Sequence, residues 1–282
     1  MACKRLRATD VATHLALILA CALTLYPVLW VIKTAVTPAQ QFAPSFSPWP
    51  TSWSLANFRF VLFRHDGHTW LFGRQIANSL LVSLAVTVVG LCLACSAAYA
   101  LSRFRFVGRD FSLRAFFLSQ MFPGVVTSIP LYVLLDQLQL LNSLSGLVLV
   151  YSTTALPFCV FMLKSHFDSL PKELEEAVLL DGGTHFDAFV HVVLPLSRPA
   201  IAVTALFSFL TAWNEFILAA TFMNRPSGYT LPVALQQYVG DFAAEWGHFA
   251  AGSVLVSLPV MALFFVLEKH LVGGLTQGGV KR

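Results

Sequence analysis

The sequence predicts an all-α membrane protein: six transmembrane helices in a single domain, residues 1–282, with both termini cytoplasmic. Three observations carry this expectation. Of 282 residues, 57% are apolar or aromatic and only 11% are charged, against about a quarter charged in ordinary soluble domains. Several apolar runs are long enough to cross about 30 Å of hydrocarbon. The positive charges also collect on alternate connecting segments. This composition excludes a disordered chain, a disulfide scaffold and a soluble basic nucleic-acid binder. The five cysteines show no metal-ligand spacing.

The spans are read in order at Val11–Ile32, Ala77–Leu101, Ala115–Leu135, Leu144–Leu163, Ala200–Phe222 and Phe249–Leu267. The first follows Lys4, Arg5 and Arg7 and contains Ile18-Leu19-Ala20-Cys21, which imitates a cleavable leader. Its apolar run continues through Trp30, so it reads as an uncleaved helix. The second carries a small-residue stripe at Gly90, Ala94, Ala97 and Ala98 that permits close helix approach. Its Cys92 and Cys95 read as packing residues rather than a redox pair. The third is interrupted by Gln120, Pro123, Gly124 and Pro130, and is the one clearly broken helix expected.

With the N-terminus inside, the inner segments hold Lys4, Arg5, Arg7, Arg103, Arg105, Arg109, Arg114, Lys164, Lys172, Arg198, Lys269, Lys281 and Arg282. The outer ones hold only Lys33, Arg59, Arg64, Arg74 and Arg225. That asymmetry sets the orientation. Residues 33–76 then form a periplasmic or extracellular loop, rich in Pro, Ser and aromatics around Pro44–Pro50, for which extended structure and turns are expected.

The segment 165–199 stands apart as a cytoplasmic loop with helical signals. Pro171 suits a first helical turn, and Glu173, Glu175 and Glu176 fall where the helix dipole favours anions. Gly182 and Gly183 stop that helix, and Thr184 with Asp187 begins another as a capping box. The second helix is expected to pack Phe186, Phe189, Val190, Val193 and Leu194 on one face. Two short helices joined by a glycine elbow make a docking platform.

Glu176-Ala177-Val178, then Gly182, then Val192-Val193-Leu194-Pro195 resembles the Glu-Ala-Ala, Gly, Ile-x-Leu-Pro pattern of permease subunits in binding-protein-dependent ABC importers. Val stands for the second Ala and for Ile. The stretches Ala98–Arg109, Gln120–Pro123, Ala212–Phe216, Tyr229–Tyr238 and Gly273–Arg282 resemble the carbohydrate-uptake branch, maltose/maltodextrin permeases above all. The resemblance implies the type I importer permease fold and a bacterial or archaeal inner (cytoplasmic) membrane location. It implies a second homologous permease, two ATPase subunits and an extracytoplasmic sugar-binding protein as partners. ATP and Mg are then used by the ATPase, and this chain binds no cofactor of its own. The implied ATPase-coupling residues are Glu175, Glu176, Ala177, Asp181, Gly182, Gly183, Leu194 and Pro195. Of these, Glu176 pairs with a basic ATPase residue, Gly182 permits the turn, and Leu194-Pro195 fixes the platform to span five. The tail, residues 273–282, is implied to reach the ATPase dimer interface.

Polar groups at membrane depth mark functional positions. Gln120, Phe122, Tyr132, Trp213, Asn214 and Glu215 could supply the hydrogen bonds and aromatic faces of a sugar pathway, with Ser83 and Thr87 further polar groups of span two. The competing reading is helix–helix hydrogen bonding, with the partner permease supplying the sugar site. Other substrates of related permeases are further disaccharides and glycerol phosphates. The scattered histidines suggest no metal site. No H-E-x-x-H, G-x-S-x-G or G-x-x-x-x-G-K-[ST] motif is present, which argues against a membrane enzyme and against the chain being the ATPase. A secondary transporter would need paired broken helices and buried coupling carboxylates, whereas Glu215 is the lone acid expected mid-span.

Overall fold

The computed structural model describes residues 8–40, 47–240 and 244–277. In order, the helices are α1 (Ala8–Val36), α2 (Ala56–Leu62), α3 (Leu71–Arg103), α4 (Arg109–Ser119), α5 (Gly124–Gln137), α6 (Leu144–Ser169), α7 (Glu173–Leu180), α8 (His185–Ala188), α9 (Leu194–Leu196), α10 (Arg198–Trp213), α11 (Ile217–Phe222), α12 (Leu231–Gln236) and α13 (Trp246–Gln277). A two-residue hairpin, β1 (His65–Asp66) and β2 (Thr69–Trp70), precedes α3.

Four helices are long and apolar enough to cross a membrane alone: α1, α3, α6 and α13. Two more spans arise if each bent pair counts as one: α4 with α5, bent by 106°, and His185–Leu196 with α10, bent by 77°. Six spans are therefore available; the third is broken as expected, whereas the fifth departs from the continuous helix expected. The third breaks at Gln120–Pro123, because the residue before a proline is driven out of the helical region and Pro123 sits at φ −60, ψ 133. The fifth ends at Trp213 rather than continuing to Phe222. Asn214–Phe216 leave the helix, and the Glu215 carboxylate accepts the N–H groups of Leu218 (2.9 Å) and Ala219 (3.1 Å), capping α11.

The chain forms two compact units, residues 1–72 with 235–257 and residues 73–234 with 258–282. In the first, the segment after α1 is more ordered than extended structure and turns. The buried Asn57 of α2 donates to the carbonyls of Ala35 and Thr37, at 3.1 and 2.8 Å, and accepts from Gln40 at 2.7 Å. Phe60 stacks on His248 at 3.9 Å. Pro44–Phe46, part of the proline-rich stretch, lie outside the described residues.

The second unit has two cores strung along α3 and α6. One collects Val82, Val86, Leu135, Leu147, Val150, Tyr151, Leu218 and Phe222. The other collects Ala94, Cys95, Ala98, Tyr99, Cys159, Val160, Leu163, Phe167 and Val193. The small-residue stripe accounts for the tightness. A Cβ on Gly90 would sit 3.5 Å from Ser208 Oγ of α10, and Ala94 and Ala98 have no exposed surface. Cys95 is buried and Cys92 exposed, both as free thiols. α13 carries Gly273–Gln277 as helix, and residues 278–282 of the expected tail lie outside the described residues.

Candidate coupling platform

The chain from Pro171 to Ser197 builds a compact elbow. α7 begins at Glu173, after Pro171 and Lys172, and its first turn holds Glu173, Glu175 and Glu176, where unpaired N–H groups favour negative charge. Gly182 ends the helix with φ 87°, a left-handed conformation that costs other residues steric strain. Gly183 follows, its N–H bonded to Val178 O at 2.9 Å. Thr184 and Asp187 form the expected capping box at the start of α8. The Thr184 hydroxyl, and then its N–H, hold the Asp187 carboxyl below the ordinary carboxylate range.

α8 does not continue as a regular α-helix. Residues Phe189–Val193 form a π-turn before α9. The wider turn rotates the following side chains, so the packed face differs from the 3.6-residue expectation. Ala188 and Val193 are buried, whereas Phe186, expected on the packed face, is 71% exposed. Leu180 is 88% exposed, so the elbow presents two large apolar side chains beside the exposed Glu176, Ala177, Asp181 and Gly182. Leu194 is partly buried against the second core, and Pro195 is partly buried behind it.

Glu175 does something else. It is buried, 6% exposed, and points back into the helix bundle. Arg103, the last residue of α3, donates from Nε to Glu175 Oε1 at 2.6 Å. The Tyr99 hydroxyl lies 2.9 Å from Glu175 Oε2 and 3.2 Å from the His185 carbonyl oxygen, so its one proton is shared between α7 and α8. Arg103 also donates to Ser102 Oγ at 3.0 Å and to Leu170 O at 3.4 Å. Ser102 donates to Asp168 at 2.6 Å, and Lys164 donates to the other oxygen of Asp168 at 2.6 Å. The platform is thus bolted to the ends of α3 and α6. Sequence reasoning placed Glu175 with the outward-facing acids and missed Tyr99, Ser102, Lys164 and Asp168. The i, i+4 pair Tyr99 and Arg103 at the end of a span was the available signal.

The six pathway candidates do not form one constellation. Gln120 and Phe122 line a cavity of about 550 Å³ at the α4–α5 break, together with Ser119, Thr127, Thr153 and Thr154. Gln120 donates to Thr154 O at 3.1 Å. Tyr132 faces Phe222 with ring centroids 6.4 Å apart. Trp213 is buried and stacked on Phe209 at 5.4 Å. Asn214 donates to Leu210 O at 2.9 Å, and both Glu215 oxygens serve the α11 cap. In α3, Thr87 donates to Ser83 O at 2.7 Å. Among the described residues no group of three or more His, Cys, Asp or Glu could hold a metal ion.

A polytopic helical protein with two broken spans and a rigid two-helix elbow at one end of its bundle belongs to the class of membrane transport subunits. Residues 87–276 match the family described as binding-protein-dependent transport system inner membrane component, and the chain belongs to that family. It is 35% identical over 258 residues to the sulfoquinovosyl glycerol transport system permease protein SmoH of Agrobacterium fabrum (strain C58), covering 91% of this chain and 89% of the relative. It is 33% identical over 274 residues to the maltodextrin transport system permease protein MdxG of Bacillus subtilis (strain 168), covering 96% of each. Its fold matches a bacterial ABC transporter involved in import of the acidic polysaccharide alginate, with a TM-score of 0.76, 21% identity and coverage of 95% and 98%. The fold is that of a type I ABC importer permease.

Proposed function

We propose that this chain is one membrane subunit of a carbohydrate importer, working by alternating access with a homologous second permease, two ATPase subunits and an extracytoplasmic binding protein. The observation that carries this reading is the elbow: Glu176, Leu180 and Phe186 are exposed on a platform that the bundle holds rigidly. An apolar pair beside an acid suits a cleft with a basic rim on a second protein. In this reading the platform and both termini face the cytoplasm. The partner ATPase, using ATP and Mg, moves the platform, and the platform moves the spans as rigid bodies.

The relatives' names share carbohydrate as cargo and differ in which one. The cavity at Gln120 supports a neutral cargo. Its walls combine hydroxyls, an amide and an aromatic face with the apolar Pro130, Leu131 and Leu134, and no charged side chain is among the lining residues. Such walls suit a neutral sugar, and maltodextrin is the first candidate. A glycerol phosphate would be favoured by an Arg or Lys in the wall, and the lining has neither. The test is purification from membranes followed by ATP hydrolysis in the presence of the co-purified binding protein. Stimulation by maltotriose and none by glycerol phosphate is expected. Purification with no ATPase subunit would overturn the importer reading, and stimulation by glycerol phosphate alone would overturn the neutral-sugar reading.

A further inference from the structure

The buried ion pair between Arg103 and Glu175 joins two helix ends of matching sign. Arg103 is at the C-terminus of α3, where cations are favoured, and Glu175 is in the first turn of α7, where anions are favoured. Their side chains are only 7% and 8% exposed. A buried pair is a weak device for stability, because apolar residues of similar volume often serve as well. What it does supply is a fixed geometry, and here every polar neighbour reinforces that geometry. The Tyr99 hydroxyl ties Glu175 to the His185 carbonyl, so α7 and α8 are held by one side chain of α3. Tyr99 also packs on Phe189 of the π-turn, ring centroids 4.7 Å apart. The side chains of Tyr99, Arg103 and Glu175 are all turned inward, unlike Glu176 one residue later.

Resting on the importer reading above, we propose that Glu175 is a positioning residue acting within this chain. With Arg103 and Tyr99 it welds the platform to α3, so that platform motion is delivered directly to α3 as well as along the covalent path into α10. Glu176 meets the ATPase; Glu175 passes the displacement on. Loss of the weld leaves a platform that still docks but turns against α3 instead of carrying it.

The experiment uses the complete importer with Glu175→Gln, and with the Arg103→Met/Glu175→Met double variant in case a lone buried Arg103 prevents folding. Spin labels are placed at Ser96 of α3 and at Lys172, exposed at the start of α7 and outside the apolar docking pair, with the exposed cysteines replaced. In the parent protein the distance distribution is expected to be narrow and equally narrow with trapped ATP. Both variants should broaden it while the ATPase still co-purifies. ATP hydrolysed per maltotriose imported should rise about tenfold, the scale of a typical coupling free energy. Unchanged widths, or an unchanged ratio of ATP to sugar, would overturn the weld. Loss of the ATPase with unchanged widths would place Glu175 at the partner contact and also overturn it. Should the parent chain purify with no ATPase, the importer reading fails, and the label distances still judge the weld.

Discussion

Glu175 and Glu176 are neighbours in sequence and opposite in surroundings, and the difference is a matter of helical phase. One step of 100° turns Glu175 toward Arg103 and Glu176 toward solvent. Glu176→Lys is therefore expected to leave the chain inserted at normal levels while reducing ATPase co-purification, because it reverses an exposed charge on the outer face of α7. Normal co-purification would refute the docking role. The adjacent glycines divide in the same way. A methyl on Gly183 would lie 2.7 Å from Val178 Cγ1 and 2.9 Å from the Val178 carbonyl oxygen. At Gly182 nothing lies within 4 Å, and only the left-handed backbone resists, at roughly 1–2 kcal/mol. Gly183→Ala should thus reduce co-purified ATPase more than Gly182→Ala, although the family pattern singles out Gly182. Equal losses would show that backbone strain, not the contact with Val178, governs the elbow.

At the scale of elements, the platform was legible where its chemistry is local. Proline, first-turn acids, paired glycines and the Thr184–Asp187 box are all short-range signals, and each lies where the sequence places it. The π-turn was not legible, because inserting one residue into a turn responds to packing against Tyr99 and the α3 end, not to residue type. Phe186, before the turn, and Val193, at its end, accordingly do not share the single buried face that a 3.6-residue period predicts. The broken fifth span escaped for a related reason: Asn214 and Glu215 read as polar residues within a helix, whereas Glu215 replaces the helical bonds by capping α11. Thr184→Ala removes the α8 cap and should cost about 1 kcal/mol, seen as faster amide exchange over His185–Ala188 with the bundle unchanged. Because the folded Asp187 carboxyl titrates below its ordinary value, the cap's contribution is complete above that value and lost as pH falls through the lowered one. Exchange protection at the elbow should accordingly hold through neutral pH and fall in acid, and a loss on going alkaline would contradict the assigned cap.

For the molecule as a whole, the distribution of charge predicts a sidedness in the membrane that labelling can test. Arg103 at the end of α3, Arg105 in the α3–α4 connection and Arg109 at the start of α4 collect together, and Lys164 near the end of α6 with Lys172 before α7 adds two more. If each bent pair counts as one span, the alternation of inside and outside is preserved, and the positive-inside rule predicts these segments and the elbow on one face. Were the α4–α5 pair to cross no membrane, the parity between the hairpin and the elbow would change. The hairpin at Gly67 and the elbow at Leu180 would then no longer be on the opposite faces assigned to them. A cysteine at Val107 or Leu180, both exposed, should react with a membrane-impermeant maleimide only after permeabilisation. A cysteine at His68, exposed beside the hairpin turn, should react in intact spheroplasts, each compared with the parent chain's own labelling. Labelling of Val107→Cys and Leu180→Cys from opposite sides would show that α4 and α5 do not make one crossing. Labelling of all three from outside would reject the cytoplasmic elbow, and with it the route by which an ATPase could reach Glu176.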